Sequence, residues 1–219
     1  MASFDTAYNK VKQYEGGYNP SDAGSGETYA GINRKWNPDW PGWLLIDDIK
    51  KKRTIKRGEI LPELAFSVRN FFATKKWPNI KGNDIKNQTL ANYLFDFYVT
   101  SETWAVKKIQ EAINAVGPYR LTVDGVLGNL TLDAINNTDP NKLIENYHNQ
   151  RLSFYNSINK PGYTTQDRQS NINRAMDAVK SVIKKGGDYV KNNPGKTTTV
   201  VLFSLGFIGL MALIRNANG

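Results

Sequence analysis

One short stretch of the sequence gathers two carboxylates, a hydroxyl and several glycines. Glu15 stands directly before Gly16-Gly17, Asp22 follows in a segment rich in loop-forming residues, and Thr28 comes shortly after it. A carboxyl group near aromatic side chains can have its pKa raised by desolvation, so it can stay protonated and act as a general acid. An acid, a second carboxylate and a hydroxyl that positions water are the groups that hydrolysis of a glycosidic bond requires. The residue types alone also allow the simpler interpretation that Glu15 is a solvated helix end.

Flat aromatic side chains accompany these polar groups. A tryptophan ring offers a face on which a pyranose can lie, and Tyr18 belongs to the same stretch as Glu15. The predicted substrate-binding residues are Tyr18, Trp36, Trp40, Trp43 and Trp77. The Asp-x-Gly-x-Gly spacing at Asp22 resembles part of a calcium loop, but the full set of spaced acidic ligands is missing. We therefore expect no metal and no cofactor.

Helical patterns must position this stretch. Ser3 can cap a helix whose buried face carries Phe4, Ala7, Tyr8, Val11 and Tyr14, and Gly16-Gly17 ends it. Further helices are predicted from Pro62 to Trp77, over 89–99, 104–116 and 130–135, from Asp139-Pro140 to about Ile158, and from about Asp167. Strand signals are weak and lie within residues 18–58, and residues 36–43 form an irregular aromatic stretch. The predicted fold is mainly α, with a small loop or hairpin region near residues 18–58.

Composition narrows the possible chemistry. The 219 residues contain 29 Lys plus Arg and 20 Asp plus Glu, a formal charge of +9, with no cysteine and one histidine, His148. Disulfide scaffolds, thiolate zinc sites and multi-histidine metal sites are therefore excluded. A basic cluster at residues 50–57 indicates either a solvated loop or contact with an anionic polymer or lipid. No arginine-rich arm or recognition helix favours nucleic acid, so we expect none as a partner.

The C-terminal residues differ in kind from the rest. Residues 197–214 carry no charge, and eighteen helical residues span about 27 Å, close to a hydrocarbon core of about 30 Å. This length predicts a transmembrane helix, with a buried core helix as the alternative. Five lysines between 180 and 196 precede it, which favours contact with anionic lipid and places the body on the cytoplasmic side. The N-terminus is polar and amphipathic, so we expect no ordinary signal peptide.

The stretch from Glu15 to Ile32 resembles the signature of glycoside hydrolase family 108. That pattern is E-G-G-Y followed by P-x-D-x-G-G-x-T-x-x-G-I, and the matching residues are Glu15, Gly16, Gly17, Tyr18, Pro20, Asp22, Gly24, Gly26, Thr28, Gly31 and Ile32. Ser25 is inserted between the two later glycines. In the family's tyrosine-tryptophan position this chain has Lys76-Trp77.

The second half is similar to the predicted peptidoglycan-binding module that follows this catalytic region. Residues 123–131 are similar to the V-D-G-x-I-G-P-x-T turn of this module, with Asn129 in place of proline. Leu94 to Val99 resembles the F-D-x-A-V-N element of the glycoside hydrolase family, and residues 105–110 resemble that family's A-x-K-x-L-Q helix. For Asp124-Gly125 we favour a structural role as a tight turn between helices over wall binding. Predicted domains are a catalytic region (1–88), a helical peptidoglycan-binding-like module (89–175), a basic stalk (176–196) and the transmembrane helix (197–214).

The resemblance implies a muramidase of phage or prophage type with a mainly α, lysozyme-like α+β fold. Such an enzyme cleaves the β-1,4 bond between N-acetylmuramic acid and N-acetylglucosamine, with Glu15 as the acid and with Asp22 and Thr28 as candidates for activating water or stabilising charge. Expected partners are peptidoglycan, a lipid membrane through residues 197–214, and capsid or other virion proteins. The expected location is a virion membrane or a bacterial inner membrane, with action on the cell wall. The alternatives are an inactive structural or wall-docking protein and a lytic transglycosylase, which uses one glutamate and no water.

Overall fold

The computed structural model describes residues 1–21 and 26–192. Contacts between Cα atoms divide the chain into one compact unit that ends at Glu102 and a second that begins at Thr103. This division lies within a long helix, whereas the sequence placed the border of the catalytic region at residue 88. A chain that is mainly helical with one small sheet was predicted, and the described residues confirm it.

The first unit begins with the predicted helix α1, Phe4–Val11, which continues as a 3₁₀ turn at Lys12–Tyr14. The Ser3 side chain accepts a hydrogen bond from the backbone N–H of Thr6, as a helix N-cap does. Ala7 and Val11 are fully buried. The capping residue and one buried face thus stabilise α1. Glu15 follows directly after the 3₁₀ turn that ends this segment.

Three two-residue strands form an antiparallel sheet in the order β1 (Tyr18–Asn19), β2 (Thr28–Tyr29) and β3 (Ile32–Asn33). Tyr29 pairs with Ile32, so Ala30 and Gly31 alone connect β2 to β3. Both connecting residues have positive φ, 47° and 74°. A two-residue turn with positive φ at both positions matches the twist of the strands it joins, which keeps this hairpin tight.

Helix α2, Gly42–Lys52, occupies part of the region for which the sequence indicated loop or hairpin. Its buried positions are few, Gly42, Trp43 and Ile46, while Leu44 is 75% exposed. Such a sparse apolar face, preceded by Pro38 and Pro41, gives a weak helical pattern. The basic cluster at 50–57 consequently lies on the last turn of a helix and the loop after it. Lysines there interact favourably with the helix dipole.

The rest of the first unit is helical. A 3₁₀ turn at Pro62–Leu64 leads into α3, Ala65–Phe71, then a π-helical turn at Phe72–Lys76 and 3₁₀ turns at Pro78–Ile80 and Gly82–Asp84. Helix α4 spans Gln88–Val116, with non-helical backbone at Ser101 and Glu102. This break separates the two predicted helical segments and coincides with the division between the units.

The second unit contains three more helices, α5 (Asn129–Asn137), α6 (Pro140–Ser157) and α7 (Thr165–Asn192). Asp139 caps α6 as predicted, because its carboxylate accepts from the backbone N–H groups of Asn141 and Lys142. The Asp-Gly turn is tied to α4 by Gln110, whose side chain donates to Asp124 at 2.8 Å and accepts from the Gly125 N–H at 3.0 Å. These bonds support the structural role that the sequence favoured for this turn.

The predicted transmembrane helix at 197–214 lies outside the described residues. Among residues 1–21 and 26–192, none of the helices combines the length and apolarity needed to cross a membrane.

His148, on α6, is fully buried, and this burial leads to a testable prediction. Burial, reinforced by the charge of Arg151, lowers the pKa of His148 from 6.5 to about 3. The unfolded chain protonates His148 near pH 6.5, whereas the folded chain protonates it only near pH 3. The contribution of the neutral imidazole to the free energy of unfolding is therefore complete above pH 6.5. It falls by about 1.4 kcal/mol per pH unit as the pH drops toward 3.

As the chain has one histidine, imidazole NMR signals report this site alone. We expect the folded protein's signal to stay constant between pH 8 and pH 5, and the same signal in urea to titrate near 6.5. A folded-state midpoint near 6.5 would contradict the prediction.

Candidate active site

Glu15 sits where the N-terminal helical segment ends and the chain turns toward the sheet. Its backbone is extended, with φ −78° and ψ 116°, and its N–H donates to the carbonyl of Lys12 at 3.3 Å. The side chain is partly exposed as a whole, yet its Oε1 atom is shielded from solvent. One end of the carboxyl group is therefore inside the protein while the residue still reaches the surface.

The second carboxyl oxygen of Glu15 faces the turn between β2 and β3. A Cβ atom placed on Gly31 would lie 2.5 Å from Glu15 Oε2, closer than any side-chain contact allows. Gly31 also has φ of 74°, a conformation that other residues adopt with strain. The backbone conformation favours glycine here, and any Cβ would displace the Glu15 carboxyl group, because the hairpin turn fits directly against it.

Tyr8, an aromatic residue of α1, lies near enough to Glu15 to be affected by its charge. The pKa of Tyr8 is raised, first by burial of its phenol and then by the nearby charge of Glu15, with Arg69 acting in the opposite direction. The Tyr8 ring stacks on Phe4 with centroids 5.4 Å apart and contacts Phe72 at 5.8 Å. The sequence placed Tyr8 on the buried face of the first helix but did not identify it as a neighbour of Glu15.

Thr28 lies on the same hairpin, at its opposite end from the turn. It is 7% exposed, pairs in register with Asn33, and accepts a hydrogen bond from the Asn33 side-chain amide at 3.2 Å. Glu15 and Thr28 are therefore both associated with the β2–β3 hairpin. Asn33 is a polar member of the site that the sequence analysis missed.

Asp22 lies in residues 22–25, outside the described residues, so its predicted role stays a prediction. The flanking backbone is anchored: the Ser21 N–H donates to the side chain of Asn19 at 3.2 Å, and Arg57 donates to the Ser21 carbonyl at 3.0 Å. On the other side, Gly26 has φ of 93°, a conformation suited to glycine.

A cluster of charged side chains holds the hairpin against α2. Glu27 accepts hydrogen bonds from the Tyr18 hydroxyl at 2.6 Å, Arg34 at 2.5 Å and Lys50 at 2.9 Å, and Arg34 also forms a bidentate pair with Asp47. Burial raises the pKa of Glu27, but the hydrogen bonds from its three donors outweigh burial and hold that pKa below its ordinary value. Glu27 is thus an ionised anchor of the hairpin, which sequence spacing did not reveal because its partners come from two other segments.

Removing the cation at the centre of this cluster should weaken the hairpin. Arg34→Met leaves Glu27, whose side chain is 12% exposed, without its guanidinium partner, and we expect a loss of about 1–3 kcal/mol in the free energy of unfolding. Urea denaturation measures this loss.

Arg69→Met is the matched control. Arg69 also pairs with an aspartate, Asp5, and lies over an aromatic ring, but its carboxylate partner is 65% exposed. Its removal should change stability by less than about 1 kcal/mol. Equal losses in the free energy of unfolding for the two substitutions would contradict the expectation that the part-buried Arg34–Glu27 pair stabilises the fold more than the exposed Arg69–Asp5 pair.

The predicted sugar-binding aromatic residues fall into two groups. Trp40, Trp43, Trp77 and Tyr18 are each at most 5% exposed. Trp36 is 70% exposed, with the Lys35 ammonium 5.0 Å from its ring centroid. Burial gives the first group a packing role, whereas Trp36 keeps a large accessible ring. A sugar-binding role stays a prediction for all five residues, and exposure favours Trp36.

The described residues are mainly helical, and in the first unit a small hairpin sheet lies against the carboxyl group of Glu15. The family model described as Glycosyl hydrolase 108 matches residues 8–101, and the model described as Predicted Peptidoglycan domain matches residues 104–171. Together these matches support the conclusion that the chain is a lysozyme-like protein related to glycosyl hydrolase 108, and that it is a glycoside hydrolase acting on peptidoglycan. The two matched regions adjoin at the break in α4, which is also the division between the two units.

Solved structures add evidence on the fold. The chain is similar to the protein in "Structure of Brucella abortus SagA", with 22% sequence identity, coverage of 80% of this chain and 93% of that one, and a TM-score of 0.55. This likeness shows a shared fold. A comparison with curated proteins found no match.

Proposed function

We propose that this protein is a muramidase that hydrolyses the β-1,4 bond between N-acetylmuramic acid and N-acetylglucosamine in peptidoglycan. One observation carries the proposal: the carboxyl group of Glu15, the acid of the family motif, has one oxygen shielded from solvent and the other against the Gly31 turn. A carboxyl group in such surroundings suits proton donation to a glycosidic oxygen. The basic charge of the chain also suits an anionic wall.

The remaining roles follow from the same motif. Glu15 donates the proton to the leaving sugar, Asp22 activates the water or stabilises the developing positive charge, and the Thr28 hydroxyl positions the water. Inversion and retention differ in the separation of the two carboxyl groups, so both remain compatible with this assignment.

Product analysis tests the reaction type. The full chain, kept in mild detergent because of its apolar residues 197–214, is incubated with purified peptidoglycan, and the released fragments are weighed by mass spectrometry. A muramidase yields reducing muramic acid ends. Anhydro ends, lighter by one water, identify a lytic transglycosylase instead, and absence of any release favours the inactive wall-docking alternative.

We further propose that residues 197–214 anchor the enzyme in a lipid membrane, either a virion membrane or a bacterial inner membrane, with a phage role at entry or lysis. The uncharged run and the lysines before it support this proposal. Vesicles containing anionic lipid should retain the full chain through a carbonate wash and release a chain ending at residue 193. Equal release of both chains would contradict the anchor, and absence of the protein from purified phage particles would contradict the virion role.

A further inference from the structure

A pocket of about 360 Å³ opens in the first unit between the loop before α2 and the helical segment that contains α3. Residues 36–41 form one wall, and side chains from 67–75 form the other. Glu15, Thr28 and the β2–β3 turn do not line it. The pocket is therefore a second concave surface on the unit that carries the catalytic motif.

The base of this pocket is rigid. The indole N–H of Trp40 donates to the carbonyl of Ser67 at 3.3 Å, joining the two walls, and its ring lies edge-on to Trp43 at 5.0 Å. A Cβ on Gly42 would lie 2.2 Å from the Trp40 ring, so the backbone packs directly on the indole. A pocket with a fixed base loses little conformational freedom when a ligand binds.

The walls carry opposite charges. Asp39 lines one wall and Lys75 the other. Asn70 and Thr74 add an amide and a hydroxyl, and Trp36 adds its exposed ring. A neutral glycan would use the amide, the hydroxyl and the ring but has no charge to match the ammonium and the carboxylate. A ligand with an amine and a carboxylate near an aliphatic chain matches all of them.

A single aromatic contact connects the pocket to the proposed catalytic hairpin. Trp40 stacks on Tyr29 with centroids 6.1 Å apart, and Tyr29 directly precedes the turn that faces Glu15. An extended peptide of four residues spans roughly 13 Å. A peptide attached to a muramic acid bound at the hairpin is long enough to use a neighbouring pocket on this scale.

We propose that this pocket binds the peptide stem of peptidoglycan, with Lys75 pairing with a stem carboxylate and Asp39 with the free amine of the stem's diamino acid. The aliphatic part of that residue lies against Trp36. The proposal rests on the proposed muramidase function, and it makes the enzyme selective for glycan that still carries its stems.

Direct binding tests the pocket without any catalysis. The full chain in mild detergent is titrated calorimetrically with the free stem tetrapeptide, released from peptidoglycan by an amidase. We expect Lys75→Ala and Asp39→Asn each to weaken binding about tenfold or more. Lys142→Ala and Asp48→Asn, which remove the same charges at exposed positions outside the pocket, should leave it unchanged. Equal binding by all five proteins, or no binding by the unaltered chain, would overturn the proposal.

Hydrolysis separates this proposal from the function on which it rests. The unaltered chain should cleave stem-bearing peptidoglycan faster than glycan strands stripped by the amidase. Lys75→Ala should remove that difference while keeping the rate on stripped strands. A variant that slows both substrates equally would make the pocket a glycan subsite and overturn the proposal. Tetrapeptide binding without cleavage of either substrate would support the pocket and contradict the muramidase function instead.

Discussion

Glu15→Gln should lower the rate of peptidoglycan cleavage by about 10²–10⁴-fold, the usual contribution of a general acid. Glutamine has almost the shape of glutamate, so it keeps the contacts at Gly31 while removing the proton that the leaving sugar needs. Binding to insoluble peptidoglycan and the midpoint of thermal unfolding should both stay close to those of the unaltered protein. The substitution thus separates the chemistry from binding and folding.

Glu63→Gln is the control for this prediction. Glu63 lies exposed in the 3₁₀ turn before α3, so the same chemical change there should leave the rate unchanged. If Glu15→Gln kept more than about a tenth of the rate, another group would have to supply the proton.

Gly31→Ala should lower activity by about tenfold to a hundredfold, the scale of effect expected when a catalytic group moves by about an ångström. The added methyl group would lie 2.5 Å from Glu15 Oε2, so the carboxyl group or the turn must move. The backbone with φ of 74° adds a strain of about 1–2 kcal/mol for any residue with a Cβ. Initial rates of reducing-end release and urea denaturation measure the two effects separately.

Gly58→Ala isolates the backbone strain. Gly58 has almost the same φ, 79°, but a Cβ there would meet nothing within 4 Å. We expect both alanine variants to lose similar stability, while only Gly31→Ala loses activity. Similar activities of the two variants would show that the contact with Glu15 is unimportant for catalysis.

The sequence predicted the helices best where apolar spacing and capping residues agreed. Ser3 and Asp139 marked two helix starts that the structure confirms. Helix α2 was missed because its apolar face is short and it follows a stretch broken by prolines. Local pattern is a weak guide where few residues of a helix are buried.

The catalytic stretch was located from sequence by its glycines and acidic residues, but its surroundings were not. The charge of Glu15 acts on Tyr8, and the Asn33 amide donates to the Thr28 hydroxyl across the hairpin. Neither neighbour follows from the local sequence pattern. In the sequence, nothing distinguishes Glu27 from other acidic residues. The fold places Arg34 and Lys50 beside it. Pairings between segments distant in sequence leave no periodic trace in the sequence itself.

The tryptophans show the opposite difficulty. Four of the five, Trp36, Trp40, Trp43 and Trp77, were candidates for sugar contact on the basis of residue type, yet burial separates them. Trp43 and Trp77 are each 2% exposed and donate their indole N–H groups to Asn37 and Asn83, whereas Trp36 is exposed. Residue type cannot distinguish a core indole from a binding surface, because both uses exploit the same large ring.

The most direct test of Glu15 as the catalytic acid is the mass of the ends formed by the unaltered chain and by Glu15→Gln, incubated with the same peptidoglycan at the same pH. We expect reducing muramic acid ends from the unaltered chain and, in the same time, at most about one hundredth as many from the variant. Equal amounts of these ends from the two proteins would contradict the assignment of Glu15 as the acid.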